Sequence, residues 1–127
     1  MNYTMTTDEG DFRVTSIEVV NSIKENPYIN PGEKLVDVLL HVDCTDSYFE
    51  EDSLSRYRAF KTIELLDEDG FSCDEYGWTP YDHGLYYKPD EFRRGCKYRV
   101  VIPYVVPKES AMFTVMPFET VCKIQND

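Results

Sequence analysis

The sequence predicts an all-β domain, an antiparallel β-sandwich of about seven strands, and three observations support this prediction. Two segments, 35–44 and 96–106, alternate between apolar and polar side chains with the period of two that is typical of a strand. Clusters of Gly, Pro, Asn and Asp divide the other apolar residues into short runs. No amphipathic segment is long enough to supply the helices that cover a parallel sheet.

The first half of the chain predicts two strands joined by a turn at Asn30-Pro31-Gly32. The strand 12–23 alternates except at Val19-Val20, where we expect a bulge or a change of face. In the strand 35–44 one face is apolar and belongs to the core. The other face is expected to meet solvent and carries Asp37, His41 and Asp43.

The middle of the chain is acidic and less regular. The connection 45–57 carries aromatic residues at spacings that predict one or two helical turns. A strand at 59–66 and a partner at 71–78 are expected to form a hairpin, because the turn at 67–70 ends in a glycine.

The last part of the chain predicts two further strands. In the strand 96–106 we expect Cys96, Tyr98, Val100, Ile102 and Tyr104 to point inward. Pro103 cannot donate to a ladder, so this strand is bulged there or has an edge at that residue. The strand 111–124 is interrupted at Pro117.

The length of 127 residues is that of one domain. We predict a flexible N-terminal segment at 1–11 and a single β-sandwich domain at 12–127. The N-terminal segment lacks the apolar run of a signal peptide, and no run in the chain is long enough to span a bilayer. The protein is then cytoplasmic, or extracellular or at the cell surface if a signal peptide has been removed.

The charge disfavours direct binding of nucleic acid. Twenty-four acidic residues face thirteen Lys and Arg, a formal net charge of −11, whereas a phosphate backbone requires clustered cations. Eleven of the acids lie at 43–75, and the balance reverses at 88–99. We expect an acidic region and a modest basic patch, and the sequence does not predict the oligomeric state.

The cysteines exclude two kinds of site. Cys44, Cys73, Cys96 and Cys122 form no Cys-x-x-Cys pair, so neither a zinc ribbon nor a thioredoxin-like redox motif is present. Their even number allows two disulfides or four free thiols, and we favour free thiols. Cys44 and Cys96 are the first pair to test, since both are expected on inward-facing strand positions.

The order of these motifs resembles a bacterial immunoglobulin-like domain family of unknown function, common on Gram-positive lipoproteins and secreted proteins. The stretches that carry the resemblance are 32–42, 60–70 and 89–106, within a span of 14–118. It implies an immunoglobulin-like antiparallel β-sandwich and a location at or outside the bacterial cell surface, and it brings no active site. The chain departs from the family pattern at Arg94-Gly95-Cys96, where the family has Pro-Gly.

Catalytic motifs are missing from the sequence. No nucleophile elbow, phosphate-binding loop or His-Glu-x-x-His motif occurs, so we expect no enzymatic activity. His41 is expected to be solvated, and a pairing of His83 with Cys73 has no support in sequence spacing. We expect no cofactor except calcium. Its best candidate ligands are Asp67 and Asp69, although an Asp-rich turn forms without metal.

An aromatic loop is the best candidate for partner binding. Its rings and nearby carboxylates can stack on sugars or contact a protein, or the rings can instead plug the open end of the sandwich. Changing Trp78 and Tyr81 to Ala would distinguish the two, because only plugging rings contribute to stability. The predicted contact residues are Tyr76, Trp78, Tyr81, His83, Tyr86 and Tyr87.

We therefore expect a non-enzymatic binding module of a bacterial cell-surface or secreted protein. It would recognise a protein or a glycan through the aromatic loop and an acidic surface formed by Asp46, Glu50, Glu51 and Asp52. Two alternatives stay open. One is a small intracellular acidic inhibitor that imitates a phosphate backbone in the basic groove of its target. The other is a calcium-dependent adhesion domain.

Overall fold

Residues 1–77 and 80–125 are described by a computed structural model, and nearly all of their regular structure is β. The prediction of an all-β domain is confirmed. In chain order the elements are β1 (Tyr3–Thr7), β2 (Gly10–Asn21), β3 (Glu33–Asp43), β4 (Ser53–Ser55), α1 (Arg56–Ala59), β5 (Glu64–Leu66), β6 (Ser72–Glu75), β7 (Glu91–Arg93), β8 (Lys97–Pro107), β9 (Met112–Met116) and β10 (Thr120–Lys123).

Eight strands form one antiparallel sheet that curls around the core. Their order is β1-β2-β3-β8-β6-β5-β9-β10, and β4 pairs separately with β7. The short strand β6 pairs with β8 on one side and with β5 on the other. The curl brings the end of the chain to β2, where the Gln125 amide donates to the Val19 carbonyl at 2.9 Å. No helix in the described residues has the length and apolar character needed to cross a membrane.

The central strand β3 is paired with β8 along its whole length and with β2 over 36–43. Its inward side chains Val36, Val38, Leu40 and Val42 are buried in the main core. Replacing a buried leucine such as Leu40 with Ala costs about 2–5 kcal/mol, because the cavity left behind adds to the lost apolar burial.

The outer face of β3 is also covered, which corrects the prediction of a solvent-facing polar side. Val20, Leu39 and Val101 form a second, smaller apolar cluster there, and Tyr81 and Tyr86 pack against it. Residues 80–87 cross this face and pair with β8 at Tyr87. This covering segment positions the candidate site.

Several element boundaries differ from the predictions. Residues 1–11 include β1, which pairs with β2 and places Met5 in the core. The helical turn predicted within 45–57 is α1, which begins at Arg56 because the Ser55 side chain accepts the Arg58 N–H at 3.2 Å. Of the strand predicted at 59–66, only 64–66 is a strand, since α1 ends at Ala59.

The predicted bulge at Val19-Val20 is in the wrong place. The register of β2 with β3 shifts between Val14 and Ser16 instead. Val19 and Val20 continue the strand regularly, and each is buried in a different apolar cluster, because both faces of the sheet are covered at this point.

Pro103 lies at a position where β8 needs no N–H donor. Pro103 is paired with Asp37 in the register of β8 and β3. Its carbonyl, however, points away from β3 and accepts the Tyr76 amide at 2.8 Å. The amide nitrogen of a strand residue points to the same side as its carbonyl. The missing N–H therefore lies at the β6 side, where the ladder is ending.

Candidate functional site

The centre of the candidate site is a buried carboxylate on the outer face of β3. Asp37 has no solvent exposure. Its Oδ2 accepts a hydrogen bond from the Tyr81 hydroxyl at 2.6 Å and lies 2.7 Å from Nδ1 of His83. Its Oδ1 is buried and has no hydrogen-bond partner among the described residues. Burial raises the pKa of Asp37, and the hydrogen bonds from Tyr81 and His83 act against that rise.

Tyr81 joins this carboxylate to the end of β2. Its hydroxyl lies 2.9 Å from the Ser22 hydroxyl and accepts the Ile23 amide at 3.1 Å. Burial and the hydrogen bond to Asp37 raise the pKa of Tyr81, so the phenol stays protonated and can donate at neutral pH. One tyrosine hydroxyl therefore fixes the loop to both β2 and β3.

The next turn of the loop is fixed to His41. The His41 Nε2 and the Tyr86 hydroxyl are 2.8 Å apart, and the two rings stack with centroids separated by 5.7 Å. His41 is therefore not the freely solvated histidine that the sequence predicted. Tyr87 then pairs with β8, donating to the Arg99 carbonyl and accepting from the Val101 amide at 3.0 Å each.

The structure brings three of the predicted contact residues together, against the sheet and not in solvent. Tyr81 and His83 meet at Asp37, and Tyr86 packs beside them. Tyr76 lies at the start of the loop, where its hydroxyl accepts the Tyr28 amide at 2.8 Å, and Tyr87 is partly exposed. Trp78 lies outside the described residues. Changing Tyr81 to Ala would therefore reduce stability and cannot report on partner binding alone.

Sequence reasoning missed Asp37, although the sequence carries a signal for its burial. Apolar doublets occur at Val19-Val20, Leu39-Leu40 and 100–101. In each doublet one residue points into the main core and the other into the outer cluster. Three neighbouring strands with apolar residues on the outer face indicate a covered sheet, and Asp37 lies on that face, directly opposite Val20 in the register.

Large apolar side chains surround this fixed loop and remain exposed. Tyr28 is 96% exposed, Leu85 78% and Ile23 53%. Ile23 follows the Ser22 that binds Tyr81, and Leu85 lies in the turn between His83 and Tyr86. The backbone at Ile23 and Tyr28 is held by hydrogen bonds from their amides to the hydroxyls of Tyr81 and Tyr76, while the side chains face solvent.

The predicted acidic surface lies where the β1–β2 hairpin meets the connection after β3. The Glu50 amide donates to the Glu9 carbonyl at 2.9 Å, and the approach is so close that a Cβ at Gly10 would lie 2.6 Å from the Tyr48 carbonyl oxygen. All four predicted acids, Asp46, Glu50, Glu51 and Asp52, are exposed. The hairpin adds the carboxylates of Asp8, Glu9 and Asp11 to this surface.

Three arginines pair with part of this charge. Arg13 lies 3.0 Å from Asp43 and 3.8 Å from Asp46, Arg94 lies 3.7 Å from Asp52, and Arg58 pairs with Glu9. Such exposed pairs contribute about 0–1 kcal/mol each. Glu50 and Glu51 form no ion pair within the described residues, so the surface keeps an excess of negative charge.

In the turn predicted as a calcium site, the Asp67 carboxylate forms hydrogen bonds with the backbone of the turn itself. Asp67 Oδ1 accepts the amides of Asp69 and Phe71 at 2.9 and 3.0 Å. This is the geometry of an Asp-initiated turn. Across 1–77 and 80–125 no group of three or more His, Cys, Asp or Glu side chains is arranged to hold a metal ion.

The four cysteines are free thiols, but one of them is not where the sequence placed it. Cys44 is buried whereas Cys96 is exposed, because Cys96 belongs to the turn before β8 and its amide donates to the Arg93 carbonyl. Gly95 in this turn has φ of 84°, a left-handed conformation that glycine adopts at no steric cost. Burial raises the pKa of Cys73 to about 11, so this thiol provides little thiolate for nucleophilic chemistry.

Comparison with known proteins gives little further information. No protein-family model and no curated protein matches the chain. A solved structure of a Bacillus subtilis protein described as a putative lipoprotein matches 96% of the chain at 11% sequence identity with a TM-score of 0.46. The chain spans 38% of the length of that structure. A structural likeness this weak carries no argument about function, so the function of the site is inferred from its own geometry.

Proposed function

We propose that this chain is a non-enzymatic binding module of a bacterial cell-surface or secreted protein, and that it recognises a protein through the apolar side chains around the loop 80–87. The observation that carries the proposal is the combination of the fixed backbone at Tyr81 and the exposed side chains of Ile23, Tyr28 and Leu85. A surface that is already ordered loses little conformational entropy when a partner binds. Exposed apolar side chains grouped around one loop are typical of contact surfaces.

The finer fold assignment belongs to the same proposal. We propose an immunoglobulin-like sandwich of the constant type, whose two sheets have the strand orders A-B-E-D and C-F-G. The run β2-β3-β8-β6 corresponds to the first order and β5-β9-β10 to the second. In this assignment β1, β4 and β7 are additions, and the loop 76–90 belongs to the connection between strands D and E.

Two double variants test the binding surface. In the first, Tyr28→Ser and Leu85→Ser remove apolar area beside the loop without touching its hydrogen bonds. In the matched control, Phe71→Ser and Val121→Ser change exposed side chains, at 70% and 63%, in the turn before β6 and on β10. Each immobilised protein is incubated with the surface fraction and culture medium of the producing cells, and bound proteins are quantified by mass spectrometry.

We expect at least one protein to be retained by the wild type and the control and to be lost from the Tyr28/Leu85 variant. Equal retention by both variants would contradict the proposed surface. If the retained protein is released by removing its sugars, the recognised group is a glycan and not the polypeptide.

A second candidate function is supported by the acidic surface. The hairpin and the connection after β3 together place seven carboxylates near one another, and three arginines offset only part of their charge. This surface would suit a small acidic inhibitor of a basic, nucleic-acid-binding protein. Its binding would weaken steeply between low salt and physiological salt, where exposed charges are screened beyond about 8 Å. Binding that is insensitive to salt excludes this candidate.

A further inference from the structure

A cavity of about 370 Å³ opens between α1 and the strands β5, β6 and β8. It shares no residue with the exposed surface around the loop 80–87. Its apolar lining includes Ile102 and Tyr104 of β8 and also Phe60 and Ile63, which follow α1. Its volume falls in the range of about 300–1,000 Å³ that is typical of small-molecule sites.

Two polar groups in this cavity make no hydrogen bond to any of the residues that the structure describes. Nε of Arg56 is buried and has no hydrogen-bond partner in the described part of the chain. Tyr104 is only 5% exposed, and its hydroxyl makes no hydrogen bond to any described residue. Burial raises the pKa of Tyr104, so its hydroxyl remains a donor. Buried polar groups are nearly always hydrogen-bonded, and the buried, unpartnered Nε of Arg56 therefore indicates a missing acceptor, beside which the Tyr104 hydroxyl is a further donor open to the cavity.

The lining of the cavity also supplies acceptors. Glu75 is directly opposite Tyr104 in the register of β6 and β8, so the two side chains lie on the same face of the sheet. Asp74 and Glu64 also line the cavity, and so does Lys61. Among the described residues, neither Arg56 nor Lys61 comes within ion-pair distance of these carboxylates. Cations and anions that form no ion pair with one another thus line the same cavity.

We propose that this cavity binds a neutral saccharide, a single pyranose ring or a disaccharide. A sugar hydroxyl both donates and accepts, so neighbouring hydroxyls can accept from Arg56 and Tyr104 and donate to Glu75. A ligand with a net charge would be attracted by one set of charged lining residues and repelled by the other. The apolar face of a pyranose can pack on Phe60 or on Tyr57, whose ring is exposed beside Arg56.

A titration followed by nitrogen–proton correlation spectra of the labelled protein tests the proposal. The neutral probes are the methyl glycosides of glucose, galactose, mannose and N-acetylglucosamine and their β-linked disaccharides, added to about 50 mM so that a Kd near 1 mM can be measured. Glucuronate and glucosamine carry the same ring with a negative or a positive charge and serve as charged comparisons. We expect at least one neutral probe to shift the amides of 56–64, 72–75, 102 and 104.

Conservative variants locate the site. Arg56→Lys keeps the charge but removes the guanidinium, and Tyr104→Phe removes one hydroxyl without changing the core volume greatly. Each is expected to weaken binding about tenfold, the effect of losing one well-placed hydrogen bond. Arg94→Lys and Tyr48→Phe are the same substitutions outside the cavity and should bind like the wild type. An unchanged spectrum away from the site confirms that each variant is folded.

Three results would overturn the proposal. One is that no neutral probe shifts the cavity amides. Another is that glucuronate or glucosamine binds more tightly than the matching methyl glycoside, which would indicate a charged ligand. The third is that Arg56→Lys and Tyr104→Phe both bind a neutral probe as tightly as the wild type does.

Discussion

The change Tyr81→Phe removes the one hydroxyl that connects the covering loop to two strands of the sheet. It leaves the ring in the outer apolar cluster and deletes the bonds to Asp37 Oδ2, to the Ser22 hydroxyl and from the Ile23 amide. A hydrogen bond to a charged group contributes about 1.5–3 kcal/mol, and the fully buried Asp37 loses the bond from the Tyr81 hydroxyl while its interactions with His83 and Ser22 remain. We expect the free energy of unfolding to fall by about 2–3 kcal/mol.

The assay is urea and thermal unfolding, with Tyr28→Phe as the matched control because the Tyr28 side chain is almost fully exposed. An unfolding entropy of about 2.1 cal/mol/K per residue gives about 0.27 kcal/mol/K for this chain of 127 residues, so the midpoint should fall by about 7–11 °C. The control should change by less than about 0.5 kcal/mol, as is usual for surface substitutions. If Tyr81→Phe also costs less than about 0.5 kcal/mol, the hydroxyl does not hold the loop and the reasoning fails.

The remaining predictions concern the buried acid, the thiols and the turn. Burial raises the pKa of Asp37 above 3.8, so the folded state holds this proton more tightly than the unfolded state. Stability relative to Asp37→Asn should then fall as pH rises above 3.8 through the raised pKa, and a rise over this window would contradict the assignment. In the native protein a thiol reagent should modify the exposed Cys96 quickly and the buried Cys44 only at the rate of unfolding, whereas equal rates would show that strands β3 and β8 open at this end. If the turn at Asp67 bound calcium, a chelator would lower the unfolding midpoint; we expect no change, because Asp67 Oδ1 already accepts two amides.

The sequence predicted most reliably those strands whose side chains alternate without interruption. The strand expected at 35–44 is β3 at 33–43, and the one expected at 96–106 is β8 at 97–107. Prediction was poorer where tertiary contacts decide the structure. The strand β1 forms because the hairpin at Thr7 to Gly10 folds it onto β2, and its composition alone is that of a polar tail.

The candidate site was recognised only in part. The loop residues were identified by their aromatic content, but the partner that organises them, Asp37, lies some 45 residues earlier and was assigned to solvent. Long-range pairing of β3 with the covering segment is what buries it, and alternation within one strand carries no information about a covering loop. The cavity residues Arg56 and Tyr104 were missed for the same reason, since α1 and β8 are brought together only by the fold.

The return of the loop at Tyr87 also protects the longest strands from association. The edge of β8 that β6 does not cover would otherwise present unpaired amides and carbonyls. Tyr87 forms hydrogen bonds with two of these groups, the Arg99 carbonyl and the Val101 amide. Gln125 likewise pairs with the edge of β2 at Val19 and Val20, beyond the residues that pair with β1. Unpaired strand edges are templates on which other chains can add strands. A shortened loop between Tyr76 and Tyr87 would uncover one of these edges, so the loop's length influences solubility as well as recognition.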